Sequence, residues 1–461
     1  MFYLNILLAV NCIKFLVFII LRKRFKYNKF NGGEKKLQKL WSSKVKEEVY
    51  IEKLENGLTV MVIPKKGTEK KYVIWGTEFG SIDNHFYFDG NEVKVPDGIA
   101  HYLEHKLFEQ ENGKNSLDVL SSLGVDANAY TTNNHTAFLF EATDNFYEAL
   151  DEFMDYVQNP YFTDENVEKE RGIIGQEIMM YDDYADWKVY MNAVGAMYKD
   201  NPINIDVAGT VDTIADIDKD KLYTIYKAFY NPENMLLVLA GDFNVENILK
   251  EVKKRIKPSK ESHITKRIYP EEQEEIVSNY VEDYKDISKP IFITGYKDKV
   301  DSQNQVKRDL GIEIICNIIF GKSSKLYQRL YKEGLISNEF SYNYEYAKNY
   351  AHLLIQNSSN EPKKVAEELE KEVEFYLENG FDEKDFERIK NKIYGEYVKG
   401  YNSISNIADE FLIYHFKGIN PFDFLDECSV LDKKYVESLF REVFRKDKKV
   451  LSIVFPKEEQ K

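Results

Sequence analysis

The chain has 461 residues, 43% of them hydrophobic, with 33 Tyr and 29 Phe, which is enough apolar mass to fill more than one core and excludes a disordered tail. A formal net charge of −15 disfavours nucleic acid, which rewards basic surfaces, and disfavours docking of the whole body on anionic lipid. Cys12, Cys316 and Cys428 are far apart and form no C-x-x-C pair, so a cysteine zinc site is excluded and a disulfide framework disfavoured; they read as neutral thiols of a reducing compartment.

Residues 2–21 are apolar apart from Asn5, Asn11 and Lys14, a length that crosses a bilayer, and Arg22, Lys23, Arg24, Lys26 and Lys29 follow directly. The expectation for 1–32 is a membrane anchor with a basic flank, which keeps the body of the chain on the cytoplasmic side. A cleaved signal peptide fits less well, because its basic residues should precede the apolar run. Beyond it, 60–64 and 72–75 read as strands, 128–142 as strand again, 145–158, 163–200 and 210–229 as helices, and 235–241 as a closing strand. The stretch 246–288 is rich in Lys and Glu, contains Pro258 and Pro270, and suits a linker.

That order predicts an α+β chain with antiparallel strands and helices stacked on one side, divided into 45–245, the linker 246–288, and 289–457. The last part looks like a degraded copy of the first. Residues 162–169 align with 381–388 at a constant offset, which sets Glu396 opposite Glu177, and a weaker match pairs 101–108 with 324–331. On that pairing His101, Glu104 and His105 stand opposite Ser324, Tyr327 and Gln328, so the second part cannot bind a metal ion in the same way.

The chemistry concentrates in His101-Tyr102-Leu103-Glu104-His105. Two imidazoles four apart on a helix share a face and can grip one metal ion, and Glu104 stands beside whatever the metal binds. The order H-x-x-E-H mirrors the H-E-x-x-H zinc peptidase helix and keeps a carboxylate where it can take a proton from water. Pro96-Asp97-Gly98 is a helix start with Asp97 as the expected N-cap, and Ile99, Leu103 and Leu107 supply an apolar face. Catalytic zinc needs a third protein ligand. Glu170 and Glu177 are seven apart on a proline-free helical stretch, nearly two turns, so both carboxylates share a face; one can bind metal while the other supports it.

H-x-x-E-H followed, after 71 intervening residues, by the last Glu of E-x6-E resembles the insulinase or pitrilysin-type (inverzincin) zinc metallopeptidases, over roughly 48–457. The resemblance implies zinc held by His101, His105 and Glu177, Glu104 as general base, and Glu170 as a supporting carboxylate orienting His101 or His105. Asn128-Ala129-Tyr130-Thr131 resembles that family's N-A-x-T edge strand, which implies substrate held by β-addition. Residues 229–241 resemble the helix, turn and strand that close the family's first domain.

The same resemblance implies two homologous domains forming half of a clamshell, and therefore a partner: a homodimer, or a heterodimer with an inactive sister. It is strongest toward a bacterial branch, common in Gram-positive species, that pairs an H-x-x-E-H subunit with a sister lacking the motif; some members are associated with aminopentanol modification of elongation factor P. The implied function is a zinc-dependent endopeptidase acting on peptides or unfolded segments in a chamber. The rival is a non-proteolytic binding or assembly subunit that retains the fold. The family often brings an Arg and a Tyr from the far domain to the substrate carbonyl; 329–344 lacks the usual spacing and offers only Tyr342 or Tyr344. Of the other histidines, His135 is the one whose hairpin could approach the cleft, and Trp187 reads as packing.

Overall fold

In the computed structural model, which describes residues 37–258, 263–301 and 303–457, two sheets of matching topology each carry their own helices. The first half contains β1 (Gln38–Ser42), β2 (Glu47–Lys53), β3 (Thr59–Pro64), β4 (Lys71–Thr77), the hairpin β5 (His85–Phe88) and β6 (Asn91–Lys94), β7 (Asp126–Thr131), β8 (Thr136–Ala142) and β9 (Met235–Gly241). The large sheet runs β1-β2-β3-β9-β4-β8-β7, antiparallel except where β3 lies beside β9. Between the strands lie α1 (Ile99–Lys106), α2 (Ser116–Ser122), α3 (Phe146–Gln158), α4 (Asp164–Asp183), α5 (Ala185–Met197), α6 (Val211–Ala215) and α7 (Lys219–Phe229), and α8 (Val245–Arg255) follows β9.

The predicted helix 145–158 is found as the single α3, whereas 163–200 and 210–229 are each divided. Tyr184, at φ −81° and ψ 109°, leaves helical space and separates α4 from α5. A capping box at Thr210 starts α6, and Asp218 caps a new helix at α7. The stretch 246–288 does connect the two sheets, yet it is largely ordered: α8 packs on the first core, β10 (Thr265–Arg267) pairs with β5, and β11 (Tyr280–Lys285) enters the second sheet.

The second half adds β12 (Ile291–Asp298), β13 (Ser341–Tyr346), β14 (Ala351–Ser358) and β15 (Lys449–Pro456), ordered β11-β15-β12-β14-β13, with only the β11–β15 pair parallel. Without β1 and β2 the first sheet has this same order and these same directions. The helices follow in parallel sequence: α9 (Gln305–Ile319), α10 (Lys325–Lys332), α11 (Pro362–Asn379), α12 (Glu383–Gly400), α13 (Ile404–Phe416), α14 (Phe422–Val430) and α15 (Lys433–Val443). This order bears on the weaker repeat match. The helix between β12 and the α10–β13 segment is α9, so the counterpart of α1 is α9, and 324–331 belongs to the counterpart of α2. The stronger match stands: α12 holds the position of α4, with Glu396 opposite Glu177.

Helices do not stack on one side only. Alternating β residues send Val60, Val62, Val73 and Trp75 to the first half's own helices, while Met61, Ile63, Tyr72 and Ile74 face the other way. That second face is covered by α13 of the other half, through Ile404, Ile407, Ala408, Phe411 and Leu412. Reciprocally, α5 lays Val189, Ala193, Val194 and Met197 on Ile293, Leu354, Val450 and Val454 of the second sheet. Full burial of an Ile, Phe or Leu is worth roughly 1.5–3 kcal/mol, so this exchange ties the halves together. It also explains why β9 is buried at every position.

Cys316 and Cys428 are buried thiols; Cys12 and the apolar segment 2–21 lie outside the described residues. Among the described residues no helix is long and apolar enough to cross a membrane.

Candidate metal centre

The motif helix α1 does not start as its sequence suggests. Gly98 is its N-cap, at φ +89°, where a Cβ would stand 2.3 Å from the Ala208 carbonyl oxygen, while Asp97 accepts a hydrogen bond from the Asn84 amide at 2.8 Å. Only glycine fits so close to a neighbouring backbone. Tyr102, Leu103 and Leu107 are fully buried beneath the helix, and the Tyr102 hydroxyl donates to the Val167 carbonyl of α4. A capping box between Thr163 and Asn166 fixes the start of α4. The two helices that carry the candidate ligands are therefore bound directly to each other.

The opposite face of α1 presents the histidines, with ring centroids 4.6 Å apart. His101 Nε2 lies 3.7 Å from one oxygen of Glu177, and His105 Nε2 lies 3.5 Å from the other. Among the described residues these three form the one group of His, Cys, Asp or Glu whose ligand atoms all fall within 4.8 Å of one another. A tetrahedral zinc with bonds of about 2.0–2.2 Å separates its ligand atoms by roughly 3.3–3.5 Å. The donor set, two imidazoles and one carboxylate, fits that ion with small side-chain adjustments, and three protein ligands leave a position open.

Glu170, two turns before Glu177 on α4, accepts from His105 Nδ1 at 3.0 Å. This selects His105 over His101 as the residue it orients and leaves the His105 Nε2 lone pair toward Glu177. Burial tends to lower the His105 pKa, but the Glu170 hydrogen bond and the charges of Glu104, Glu170 and Glu177 outweigh it and hold it above its ordinary value. His101 has no such partner; its Nδ1 is buried without a hydrogen bond. Burial, reinforced by the neighbouring His105, takes it down to about 3, so it stands neutral as a ligand requires. Lys106, fully buried, pairs with Glu109 and lies 3.8 Å from Glu170.

Glu104 is 7% exposed, and burial raises its carboxyl above the ordinary range against an opposing hydrogen bond from Thr131, whose Oγ1 donates at 2.7 Å. Thr131 ends β7, which is an edge strand of the large sheet among the described residues. Ala127 and Ala129 pack toward the helices, and by strand alternation Thr131 points the same way, to Glu104. Asn128 is exposed and Tyr130 packs on the opposite side, edge-on to His135 at 5.6 Å. The four residues thus do two things: they offer an unpaired edge beside the histidines, and one of them fixes the adjacent carboxylate. The spacing of the sequence did not reveal that second role.

The far-domain candidates do not reach this centre. Tyr344 donates to Asp298 at 2.8 Å, Tyr342 is packed on the second core, and Arg329 is paired with Glu368. Trp187 stacks on Tyr190 at 5.2 Å and donates to Asp206, a packing role as expected.

Comparison with known proteins agrees with the fold. The signature described as Insulinase (Peptidase family M16) matches residues 91–211, and that of the Peptidase M16 inactive domain matches 216–393. An uncharacterized zinc protease, YmfH of Bacillus subtilis, is 38% identical over 90% of this chain and 98% of its own length. The crystal structure of a putative M16-like peptidase from Alicyclobacillus acidocaldarius superposes with a TM-score of 0.86 at 32% identity, over 89% of this chain and 99% of that one. Pitrilysin shares the fold at 19% identity and a TM-score of 0.73, and 92% of this chain covers 47% of it. The chain belongs to the insulinase family of zinc peptidases, peptidase family M16. Its fold is half of that family's clamshell.

Proposed function

We propose that the chain is a zinc-dependent endopeptidase that hydrolyses peptides or unfolded segments, with His101, His105 and Glu177 as metal ligands and Glu104 as general base. The observation that carries this reading is the convergence of both Nε2 atoms on the Glu177 carboxylate, with buried Glu104 alongside. Zinc bound there supplies Lewis acidity toward a scissile carbonyl and acidifies water. Glu104 takes a proton from the attacking water and delivers it to the leaving amine; burial, which raises its affinity for that proton, suits both transfers. Glu170 holds the His105 ring, and the open edge of β7 binds substrate by main-chain pairing.

The same reading includes a second half-clamshell, either another copy or an inactive sister. Ile173, Met179, Met180 and Tyr181 on α4 are 39–62% exposed, an apolar surface on the helix that carries Glu177, which supports a covering partner. Peptide hydrolysis with and without a chelator, together with metal analysis, tests the proposal: one equivalent of zinc and chelator-sensitive cleavage are expected. Zinc-loaded protein that stays silent both alone and with a sister subunit would favour the binding or assembly role.

A further inference from the structure

Between the halves lies a cavity of about 370 Å³, within the roughly 300–1,000 Å³ of small-ligand sites. Thr132 and His135, in the turn that directly follows β7, line it from the first half, and Gln305, Tyr346, Asn349 and Lys417 from the second. Its wall is largely apolar, with Ile82, Ile413 and Phe416 contributing. Several polar groups in it lack partners. His135 is 7% exposed, and its Nε2 makes no hydrogen bond, nor do the buried amide atoms of Asn349. A buried polar atom without a partner costs about 1–3 kcal/mol, so their gathering on one cavity points to an occupant.

The charges specify it. Glu78 pairs with Lys348, Asp83 with Arg267 at 2.9 Å, and Glu345 accepts from the Tyr350 hydroxyl at 2.7 Å. Lys417 is different: its Nζ lies 3.8 Å from the centroid of the Tyr346 ring, and among the described residues no carboxylate is within 4.0 Å of it. Asp309 and Glu345 act on it only from farther away, and burial lowers its pKa. A cation over an aromatic ring, an unpaired carboxamide, an unpaired imidazole nitrogen and an apolar wall match a carboxylate, a peptide group and an apolar side chain. We propose that this cavity binds the carboxyl-terminal residue of a peptide, with an apolar side chain, as a recognition subsite adjoining the end of β7.

The inference rests on the peptidase reading for the source of the ligand, but its test requires no hydrolysis. Zinc-loaded, full-length E104Q is titrated with a pentapeptide ending in Phe as free acid, with the same peptide as amide, and with N-acetylphenylalanine. The acid is expected to bind at least tenfold more tightly than the amide, with K417M removing that difference and leaving amide binding unchanged. Ala347→Trp, which fills the cavity from its rim, should weaken the acid likewise and decides the matter if K417M does not fold. N-acetylphenylalanine binding as tightly as the pentapeptide supports the carboxylate site and assigns it to small free acids. Equal binding of acid and amide, or an acid preference that survives both substitutions, overturns the proposal.

Discussion

The two halves share a strand order and a helix order, yet their corresponding helix pairs carry opposite chemistry. In the first, α1 sets His101 and His105 four residues apart against Glu177 of α4. In the second, α9 sets Asp309 and Glu313 four apart, and Glu396 of α12 acts on Glu313. One face is a pair of imidazoles with a carboxylate; the other is acidic, where burial raises the carboxyls of Asp309 and Glu313 and the charges of Asp309 and Glu396 add to the rise at Glu313. The fold thus supplies a place where two helices bring side chains together, and the residue types decide whether it suits a cation or protons.

The largest expected effect comes from emptying the first of these places. His105→Ala removes one ligand and the group that Glu170 orients; zinc should be absent by metal analysis and peptide hydrolysis undetectable. Glu104→Gln separates binding from chemistry: zinc content should remain at the parental level while kcat falls about 10²–10⁴-fold. Parental turnover in that variant would remove the general base from the reading.

Much of this contrast is legible in the sequence, because H-x-x-E-H and the paired glutamates have helical spacing that fixes which side chains share a face. Less legible were features set by the tertiary partner. The Gly98 cap exists because the Ala208 carbonyl approaches α1, and Thr131 serves Glu104 because β7 ends beside it. The exchange of α5 and α13 between sheets leaves no local signal, since an apolar helix face reads the same whichever sheet it covers. The counterpart of α1 is hidden in the sequence for a related reason: α9 has no histidine, and its apolar run masks the Asp309 and Glu313 pair.

The exchange itself can be broken. Phe411 is 1% exposed on the first sheet although it belongs to the second half, so Phe411→Ala should cost about 3–5 kcal/mol, read as a lower urea midpoint. The first half should unfold with the second in a single transition. Retention of zinc by a variant whose second half alone has melted would separate the halves energetically. A smaller effect is expected at Glu170. Glu170→Ala frees the His105 ring and should weaken zinc about 10–100-fold in a competition titration, without abolishing the site.

The smallest effect tests the acidic counterpart. Burial pushes the Asp309 carboxyl up to about 6, and burial followed by the charges of Asp309 and Glu396 pushes Glu313 up to about 7, from ordinary values of 3.8 and 4.5. Both folded pKa values exceed the unfolded ones, so the native state binds more protons between about pH 4 and 7, and its stability falls as pH rises through that window. Each pKa unit is 1.36 kcal/mol, and discounting for partial exposure and for coupling of the pair leaves about 1–3 kcal/mol in total. The Asp309→Asn, Glu313→Gln double variant should lose this slope and be the more stable form at pH 7.5, while near pH 4.5 the two should converge. Measured as the difference between parent and variant in the presence of a chelator, the profile is free of contributions from the first half's ligands. Parallel profiles would mean that the carboxylates on α9 remain charged and solvated, and that the second half does not crowd its side chains as the first does.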